Sequence, residues 1–428
     1  MPKTLRLGIA GLGTVGVGVV RILAAHSDLL TARSGCKIEI TAVSARSKSK
    51  DRGIDLAPFA WEDDPVALAK RDDVDVFVEL MGGEDGPAKA SVEAAIAAGK
   101  HVVTANKAML AIHGQEMAQA AEEAEIALKF EAAVAGGIPV IKVLNEGLAG
   151  NQISRVMGVM NGTCNYILTR MENEGLGYNA LFEEADKLGY LEADPNLDVG
   201  GIDAGHKLAL LSSIAFGTKV NFAGVELEGI QRVSITDIEQ ARDMGFRIKL
   251  LGVAQLTGRG LEQRMHPCLV PANSPLGQLE NATNMVVLEG DAVGQIVLRG
   301  AGAGEGPTAS AVLGDVMDIA RGFHMSTFGQ PASSLRGMQA AQVSAAAAFY
   351  LRLTLKDAPG ALHKITGALA DAGVSIDRMR QYSHSDTAAP VLMVTHKTTR
   401  AELDHALLGI KATGVTLEDP VAIRIEDV

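Results

Sequence analysis

A glycine-rich turn at residues 11–16 limits the fold of this chain more than any other part of its sequence. Gly11-Leu12-Gly13-Thr14-Val15-Gly16 follows an apolar run at residues 5–10 and opens an apolar stretch that extends to about residue 25. Between a strand and a helix, these glycines allow a tight turn, a close approach of a pyrophosphate to the backbone, and close helix–strand packing. The helix N-terminus adds partial positive charge. The turn therefore predicts a dinucleotide site, the alternative being a glycine-rich turn without a ligand.

The residues after this turn alternate between strand and helix patterns. Strands are predicted at residues 37–43, 74–80 and 101–104, and a helix at 88–98 is closed by Gly99. Such alternation is typical of βαβ units around a parallel sheet. We therefore predict an α/β protein whose residues 1–135 form a Rossmann-type NAD(P)-binding domain.

The rest of the chain divides into two further units. Residues 136–328 predict a mixed α+β domain with a sheet of its own, including hairpin strands at 286–288 and 295–299. Residues 329–348 are rich in Gln, Pro, Ser, Ala and Gly, which predicts a linker, although the alanines could also continue a helix. Residues 349–428 show the order βαββαβ, which is typical of an antiparallel sheet with helices on one face.

The residues after the second strand bear on the choice of dinucleotide. An NAD site requires an acid at the tip of this strand for the ribose 2′-hydroxyl. Here the chain has Arg46 and Lys48, with no acid before Asp51. Two cations can neutralise a 2′-phosphate, so the sequence favours NADP, with solvated loop cations as the alternative.

Residues 189–203 are rich in acidic residues and precede a predicted helix that becomes apolar after its first turn. Asp203 and Lys207 are four residues apart, which places them on one helix face. A surface ion pair is the simpler interpretation, but residues 208–215 are almost wholly apolar, so the helix is buried just after Lys207. A lysine held there among carboxylates suits proton transfer. Lys107 follows a predicted strand, at the sheet edge where doubly wound folds bind ligands.

Composition excludes some partners and suggests a compartment. The 428 residues carry a net charge of −12, which argues against nucleic-acid or anionic-membrane binding. Aromatic residues make up 4%, which argues against surfaces that stack nucleic-acid bases. The apolar stretches near the N-terminus are interrupted by glycines and polar residues, so no membrane span is expected. Three distant cysteines (Cys36, Cys164 and Cys268) are expected to be free thiols in the cytoplasm.

Five separated motifs resemble those of homoserine dehydrogenase, in the same order along the chain. They are Gly11–Gly16, Val103-Thr104-Ala105-Asn106-Lys107, Asn161-Gly162-Thr163-Cys164-Asn165-Tyr166-Ile167-Leu168, the segment 189–207, and the segment 302–310. Residues 357–362 and 373–376 are similar to an ACT domain, a ferredoxin-like fold that binds amino acids. The chain thus resembles the longer, monofunctional bacterial form, in which the middle domain is catalytic and mediates dimerisation.

The resemblance implies reversible NAD(P)-dependent interconversion of L-homoserine and L-aspartate 4-semialdehyde, on the route to threonine and methionine. It implies that Lys207 is the acid/base and that Lys107 polarises the reacting oxygen beside the cofactor. Glu192, Asp198 and Asp203 would bind the substrate. The implied cofactor contacts are Gly11, Leu12, Gly13, Thr14, Val15, Gly16, Arg46, Lys107, Gly189 and Gly304.

The family also carries a monovalent cation, usually sodium, on a turn that corresponds to Glu131, Val134, Gly136 and Ile138. Backbone carbonyls with one carboxylate suit a hard cation, and a Gly-Gly turn without an ion is the alternative. The resemblance further implies L-threonine as an effector at the ACT domain and a homodimer or homotetramer.

Two other functions are compatible with this architecture. One is a different oxidoreductase, such as an aspartate-semialdehyde dehydrogenase or an amino-acid dehydrogenase. The former needs a reactive cysteine with a histidine partner, and Cys164 has no histidine nearby in sequence. The other is an amino-acid sensor that retains a nucleotide fold, which loss of Lys107 or Lys207 would have favoured.

Overall fold

A computed structural model describes residues 3–191, 194–341, 345–381 and 388–428. Its N-terminal part is a sheet of six parallel strands in the order β3-β2-β1-β4-β5-β6. The strands are β1 (Lys3–Ala10), β2 (Cys36–Ser44), β3 (Ala60–Glu62), β4 (Val76–Glu79), β5 (His101–Thr104) and β6 (Leu128–Lys129). The helices are α1 (Thr14–Ser34), α2 (Pro65–Ala69), α3 (Pro87–Ala97) and α4 (Lys107–Glu123). The predicted Rossmann-type fold class is confirmed, because this is the strand order of a dinucleotide-binding fold.

Helix α1 is longer than the sequence pattern predicts. It continues to Ser34 through a kink at His26 and ends at Gly35 in the left-handed conformation. By length and composition it could cross a membrane, contrary to the expectation that no apolar stretch is long enough. In the fold it packs against β2 and a helix from the middle of the chain, as the crossover helix of a dinucleotide fold does.

The middle of the chain adds a mostly antiparallel sheet with helices. After a 3₁₀ turn at Glu131–Ala133, its first helices are α5 (Val140–Lys142, continued by a π-helical turn at Val143–Gly147), α6 (Gly162–Glu174), α7 (Tyr178–Lys187), α8 (Pro195–Val199) and α9 (Ile202–Phe216). They are followed by α10 (Ile235–Asp243) and α11 (Glu305–Arg321). The strands are β7 (Ile153–Val159), β8 (Glu226–Leu227), β9 (Phe246–Thr257), β10 (Gly260–Pro271), β11 (Thr283–Gly290) and β12 (Gly294–Ala301). The expected hairpin is β11–β12, which extends beyond the predicted residues on both strands.

Helix α11 returns to the N-terminal part, a placement that the sequence did not predict. Gly18 of α1 lies so close to α11 that a side chain there would meet Ala309, with its Cβ 3.0 Å from that of Ala309. Arg21 and Glu305 form an ion pair of 2.7 Å across the same contact. The two helices share one apolar core with the strands of the parallel sheet. The contact between α1 and α11 therefore fixes the middle part of the chain to the N-terminal part.

The C-terminal part has the predicted element order. Its elements are β13 (Ala348–Lys356), α12 (Ala361–Asp371), β14 (Ile376–Gln381), β15 (Ala388–Thr395), α13 (Arg400–Ala412) and β16 (Val421–Ile425). Residues 329–341, which lie in the predicted linker, bond to the middle part: Arg336 N donates to Gly217 O over 3.2 Å, and Ala341 N to Leu261 O over 2.9 Å.

The expectation of a separate sheet for the middle part is wrong. β16 pairs in parallel with β10, with Cys268 opposite Arg424 and Leu269 opposite Ile425. The two sheets therefore form one, in the order β12-β11-β7-β9-β10-β16-β13-β15-β14. The reason is that β16 lies at the edge of the C-terminal sheet, and an edge strand leaves backbone groups unpaired that another edge can satisfy.

Candidate active site

A buried carboxylate, that of Asp203, is the centre of the candidate site. Gly201 adopts the left-handed conformation at φ 80° and starts α9, which places Asp203 in its first turn. Lys207, one turn later, donates from Nζ to Asp203 Oδ2 over 2.7 Å and to Met160 O over 2.9 Å. Asp203 is 4% exposed and Lys207 is 8% exposed. The predicted i, i+4 pair is thus a buried, oriented contact instead of a surface ion pair.

The second lysine comes from the nucleotide-binding half. β5 ends at Thr104, and the Asn106 side chain caps α4 by accepting from Met109 N over 3.1 Å. Lys107 is the first residue of that helix, and its Nζ lies 2.9 Å from Asp203 Oδ1. Helices α4 and α9 pack against each other. One carboxylate therefore binds an ammonium group from each half of the molecule.

The two lysines determine the charge of Asp203. Burial raises the pKa of this carboxyl, but the charges and hydrogen bonds of Lys207 and Lys107 lower it by more, so the pKa is below its ordinary value. Asp203 is thus an anion at neutral pH that holds both ammonium groups in place.

A side chain that the sequence analysis did not single out, Asn161, completes this cluster. Asn161 Oδ1 accepts from Cys164 N over 2.8 Å at the start of α6. Its Nδ2 donates to Asp198 Oδ1 over 2.9 Å and to Asp203 Oδ2 over 3.2 Å. The signal available in the sequence was an asparagine at a helix N-cap directly after a strand, which by itself indicates only a cap.

The other predicted substrate contacts are only partly described. Asp198 is buried beside Asn161, as expected of a supporting carboxylate. Glu192 lies outside the described residues. Gly189, after α7, has φ 72°. The His206 ring packs on Phe222, with centroids 4.2 Å apart, instead of joining the carboxylates.

Cys164 bears on the alternative of a thiol-dependent semialdehyde dehydrogenase. Its side chain is fully buried, and its Sγ lies 3.3 Å from Asp198 O. Burial, followed by the charges of Asp198 and Asp203, raises the pKa of the thiol well above its ordinary value. A nucleophilic cysteine needs a lowered pKa, so this site lacks the chemistry of that alternative. All three cysteines are unpaired, as expected.

The glycine-rich turn has the geometry that a pyrophosphate requires. A Cβ on Gly11, at φ 105°, would lie 2.5 Å from Leu80 O, and one on Gly16 would lie 2.1 Å from Gly11 O. By contrast, a Cβ on Gly13 would have no atom within 4 Å among the described residues. Two glycines thus serve packing, and the third keeps open the approach to the N-terminus of α1. No acidic residue occupies the first turn of that helix, so its N–H groups suit a phosphate.

The neighbouring cofactor residues lie around this turn. Leu12 is buried, Thr14 is exposed and Val15 is partly buried. Arg46 and Lys48 are exposed just after β2. Arg52, which the sequence analysis did not single out, donates from Nε to Leu12 O over 3.0 Å and ties this basic loop to the glycine turn.

Glu79 is a second residue that sequence reasoning missed. It ends β4, is fully buried, and accepts from Met81 N over 2.7 Å and from Thr104 Oγ1 over 2.6 Å. Burial raises the pKa of this carboxyl. Glu79 fixes the loops after β4 and β5, and with them the position of α4.

The predicted cation turn packs against the start of α11. A Cβ on Gly136, at φ 38°, would lie 2.6 Å from Gly302 O. Gly137 N donates to Ala301 O over 2.9 Å, and Ile138 O accepts from Val140 N over 2.8 Å. The Glu131 carboxylate accepts from Ile141 N over 3.0 Å and from Lys142 N over 2.9 Å. Val134 is buried beside this turn, and Gly304, at φ 122°, precedes α11.

Comparison with known proteins identifies the family. Residues 139–317 match the family model described as homoserine dehydrogenase, and residues 11–131 match the one described as its NAD-binding domain. The chain belongs to the homoserine dehydrogenase family. Residues 349–408 match the ACT domain model. The chain is 42% identical to the homoserine dehydrogenase of Neisseria gonorrhoeae and 39% to that of Pseudomonas aeruginosa, each over 99% of both chains.

Solved structures of homoserine dehydrogenases have the same fold as this chain. One from Thiobacillus denitrificans aligns over 99% of both chains with a TM-score of 0.94 and 38% identity. A hyperthermophilic archaeal homoserine dehydrogenase, solved in complex with NADPH, covers 74% of this chain and 97% of its own, with a TM-score of 0.63 and 27% identity. The activity class is therefore that of an oxidoreductase with a nicotinamide-cofactor domain and a C-terminal ACT domain.

Proposed function

We propose that this chain interconverts L-homoserine and L-aspartate 4-semialdehyde reversibly with NADP, on the route to threonine and methionine. The observation that carries the proposal is the buried Asp203 with an ammonium group on each carboxylate oxygen. Lys107 of this cluster begins the helix after β5, at the sheet edge where the glycine turn also lies. A dehydrogenase needs its acid/base at the same edge as its cofactor.

Lys207 is the proton-transfer group in this proposal. A lysine ammonium has three N–H donors, of which Asp203 and Met160 accept two. Among the described residues no other group accepts from Lys207 Nζ, so we assign the third N–H to the oxygen on C4 of the substrate. During reduction the ammonium form donates this proton to the carbonyl oxygen and becomes the neutral amine. During oxidation the neutral amine accepts the hydroxyl proton and becomes the ammonium. The nicotinamide, when bound, accepts or supplies the hydride.

Lys107 and the carboxylates hold the substrate for this transfer. Lys107 Nζ polarises the C4 oxygen, while Asp203 keeps both lysines in register. Glu192 and Asp203 bind the amino and hydroxyl groups of the substrate, and Asp198 supports them. A zwitterionic substrate matches a pocket that contains ammonium groups as well as carboxylates.

The preference for NADP rests on the loop after β2. Arg46 and Lys48 supply two exposed cations beyond Ser44, and Arg52 anchors the loop to the glycine turn. A 2′-phosphate gains from these charges, whereas an NAD ribose lacks the acid that it requires there. NAD remains a weaker alternative substrate in this proposal.

A sodium ion on the turn of Glu131, Val134, Gly136 and Ile138 is proposed as a structural partner. The turn contains two positive φ values, at Ala135 and Gly136, and the Glu131 carboxylate next to it accepts from the backbone N–H groups of Ile141 and Lys142. Thermal unfolding in sodium and in tetramethylammonium chloride at equal ionic strength tests it. A higher transition temperature in sodium is expected, and Glu131→Gln should abolish the difference. Equal temperatures for the unmodified chain would contradict it.

Regulation, assembly and compartment complete the proposal. We propose that L-threonine binds at residues 357–362 and 373–376, where ACT domains meet, and lowers activity by shifting a conformational equilibrium. A homodimer or homotetramer in the cytoplasm is proposed as the working form. Sedimentation of the purified chain gives the assembly directly.

One assay tests the reaction. Absorbance at 340 nm is followed while the chain meets L-homoserine with NADP, then with NAD, each with and without L-threonine. Reduction that requires homoserine and is faster with NADP is expected. No reduction, in a chain that still binds NADPH, would contradict the reaction and favour another semialdehyde or a sensor.

A further inference from the structure

A cavity of about 350 Å³ lies between the middle part and the ACT domain. One wall is formed by residues 226–233 and β10, and the other by β13, β16 and α13. Its volume is within the range of small-molecule sites in proteins. None of the described residues that line it belongs to the cluster around Asp203.

One wall of this cavity carries a buried guanidinium with an unused donor. Arg264 is 2% exposed, and its two terminal nitrogens bond to Glu262 and Glu426. Its Nε is buried without a hydrogen-bond partner among the described residues. A buried donor left unpaired is rare in folded proteins and calls for an acceptor.

Two further guanidinium groups lie near Arg264, each with a carboxylate partner: Arg424 Nε pairs with Glu426 over 2.6 Å and Arg400 Nε with Asp404 over 2.9 Å. Arg400 and Arg424 also line the cavity, beside His266. Burial, followed by the charges of Arg264, Arg400 and Arg424, lowers the pKa of His266 to about 4. A guanidinium has five N–H donors, so these three groups retain donors beyond their ion pairs, and a carboxylate in the cavity could accept from them.

The same cavity also presents negative charge. Glu226 and Glu228 are exposed on the wall that also contains Arg264 and His266, with Glu226 Oε2 3.9 Å from His266 Nε2. The other acid in the lining, Asp237, already binds Arg352 Nε over 2.6 Å. A ligand that carries one carboxylate and one ammonium group matches this arrangement better than a simple anion does.

We propose that this cavity binds a free α-amino acid, with its carboxylate toward Arg264, Arg400 and Arg424 and its ammonium group toward Glu226 and Glu228. This site is distinct from the one at residues 357–362 and 373–376. It lies within one chain, between the ACT domain and the catalytic part.

The wall that contains Glu228 also touches the segment that positions Asp203. Ile230 N donates to Val199 O over 2.9 Å. A Cβ on Gly229 would lie 2.3 Å from Val199 O, so the two segments pack without a side chain between them. Val199 ends the helix before Gly201, which starts α9. A ligand that moves residues 226–230 therefore moves the start of the catalytic helix, and this regulatory step rests on the proposed dehydrogenase function.

Titration calorimetry of the full chain without cofactor tests the binding. The probes are L-threonine, L-methionine, L-isoleucine, L-lysine and, as a carboxylate without an ammonium group, succinate. At least one amino acid is expected to bind, with succinate much weaker. Arg400→Gln and Glu228→Gln should each raise its Kd at least about tenfold, which is typical of losing a charge-assisted hydrogen bond.

Three variants locate the binding. Lys411→Gln, at the far end of α13, is the matched control and should leave the Kd within about twofold. Asp203→Asn should also leave it unchanged, which excludes binding at the active site. Asp357→Asn should leave the Kd at this cavity unchanged, and with L-threonine it should remove only the separate binding step proposed at residues 357–362. The proposal would be overturned if all binding heat disappeared only in Asp203→Asn or only in Asp357→Asn. Equal affinity for succinate, or no binding heat for any amino acid, would overturn it as well.

The dehydrogenase proposal can fail separately. A chain that binds an amino acid in this cavity but does not reduce NADP with homoserine would retain the site and lose the reaction. If the chain is active, the bound amino acid is expected to change kcat or KM, and the change should be lost in Arg400→Gln. Unchanged kinetics at saturating amino acid would remove the regulatory step.

Discussion

Replacing Lys207 should reduce turnover without affecting the binding of NADPH. Lys207→Ala removes the proposed acid/base but leaves the glycine turn intact, so kcat should fall roughly 100- to 10,000-fold. NADPH affinity, measured by fluorescence titration, should remain unchanged. Lys219→Ala, an exposed lysine just after the same helix, is the matched control and should retain full kcat. Near-normal turnover of Lys207→Ala would exclude the assigned role.

His206 predicts a change in stability on the acid side of neutrality. Burial lowers the pKa of its imidazole from 6.5 to about 4 in the folded chain. Between these values the unfolded chain takes up a proton and the folded chain does not, so stability falls as the pH drops from 6.5 toward 4. Above pH 6.5 this contribution is constant.

His206→Gln should therefore lose less stability than the parent chain over this interval. The difference should grow to about 3 kcal/mol at most near pH 4, because each pKa unit corresponds to about 1.4 kcal/mol. Denaturant unfolding at pH 7.5, 6, 5 and 4 measures it, with pH 7.5 as the reference for any fixed cost of the substitution. Parallel pH profiles would show that His206 is ionised in the folded chain.

Sequence reasoning at this scale paired the two groups that lie one helical turn apart and named Lys107, but it missed two contacts that reach the cluster from elsewhere in the chain. Asp203 and Lys207 are one helical turn apart, so their pairing follows from helix geometry. Met160 and Asn161 reach the same cluster from over forty residues away, through the packing of α6 and β7 beside α9. Periodicity contains no information about such contacts.

At the scale of one element, the glycine turn gives a matched pair of substitutions. Gly13→Ala places its methyl in open space at φ −80°, so the transition temperature should be almost unchanged while NADPH affinity falls. Gly16→Ala places its methyl against Gly11 O and should lower both the transition temperature and the affinity. Scanning calorimetry and NADPH titration measure the two effects. Equal loss of stability in both variants would contradict the separate roles.

The sequence predicted where several helices and strands lie along the chain, but not which other elements they pack against or pair with. Strand β5 coincides with the predicted residues 101–104, because an apolar run bounded by turn residues is typical of a strand. The docking of helix α11 on α1 depends on the close fit of Gly18 against Ala309, which no local sequence pattern reports. The prediction of a separate middle sheet was wrong because it depends on the pairing of β10 with β16. This pairing is two residues long and joins strands about 150 residues apart, so no local pattern reveals it.

At the scale of the whole molecule, the junction of the two sheets depends on buried charges. Glu426 accepts from Arg424 Nε over 2.6 Å and from Arg155 NH2 over 2.6 Å, and it also binds Arg264. Burial raises the pKa of Glu426, but the three arginines lower it by more. The carboxylate therefore holds residues of β7, β10 and β16 together.

Glu426→Gln should destabilise the chain by about 3 kcal/mol or more, because it leaves buried guanidinium groups without their counter-charge. Glu418→Gln is the matched control: its carboxylate is 64% exposed and 3.7 Å from Arg352, so its loss should cost under about 1 kcal/mol. Chemical denaturation of both variants gives the comparison. Equal costs would mean that the network contributes little to the junction.

The β10–β16 pairing also has a consequence for folding during synthesis. β16 is made roughly 150 residues after β10, which at about 5 to 20 residues per second is on the order of ten seconds or more. Throughout this interval the edge of β10 at Cys268 and Leu269 exposes backbone groups that only β16 satisfies. A nascent chain paused in that state presents a sheet edge to other nascent chains. Ribosomes that stall between these two strands should therefore carry the most aggregation-prone form of this protein.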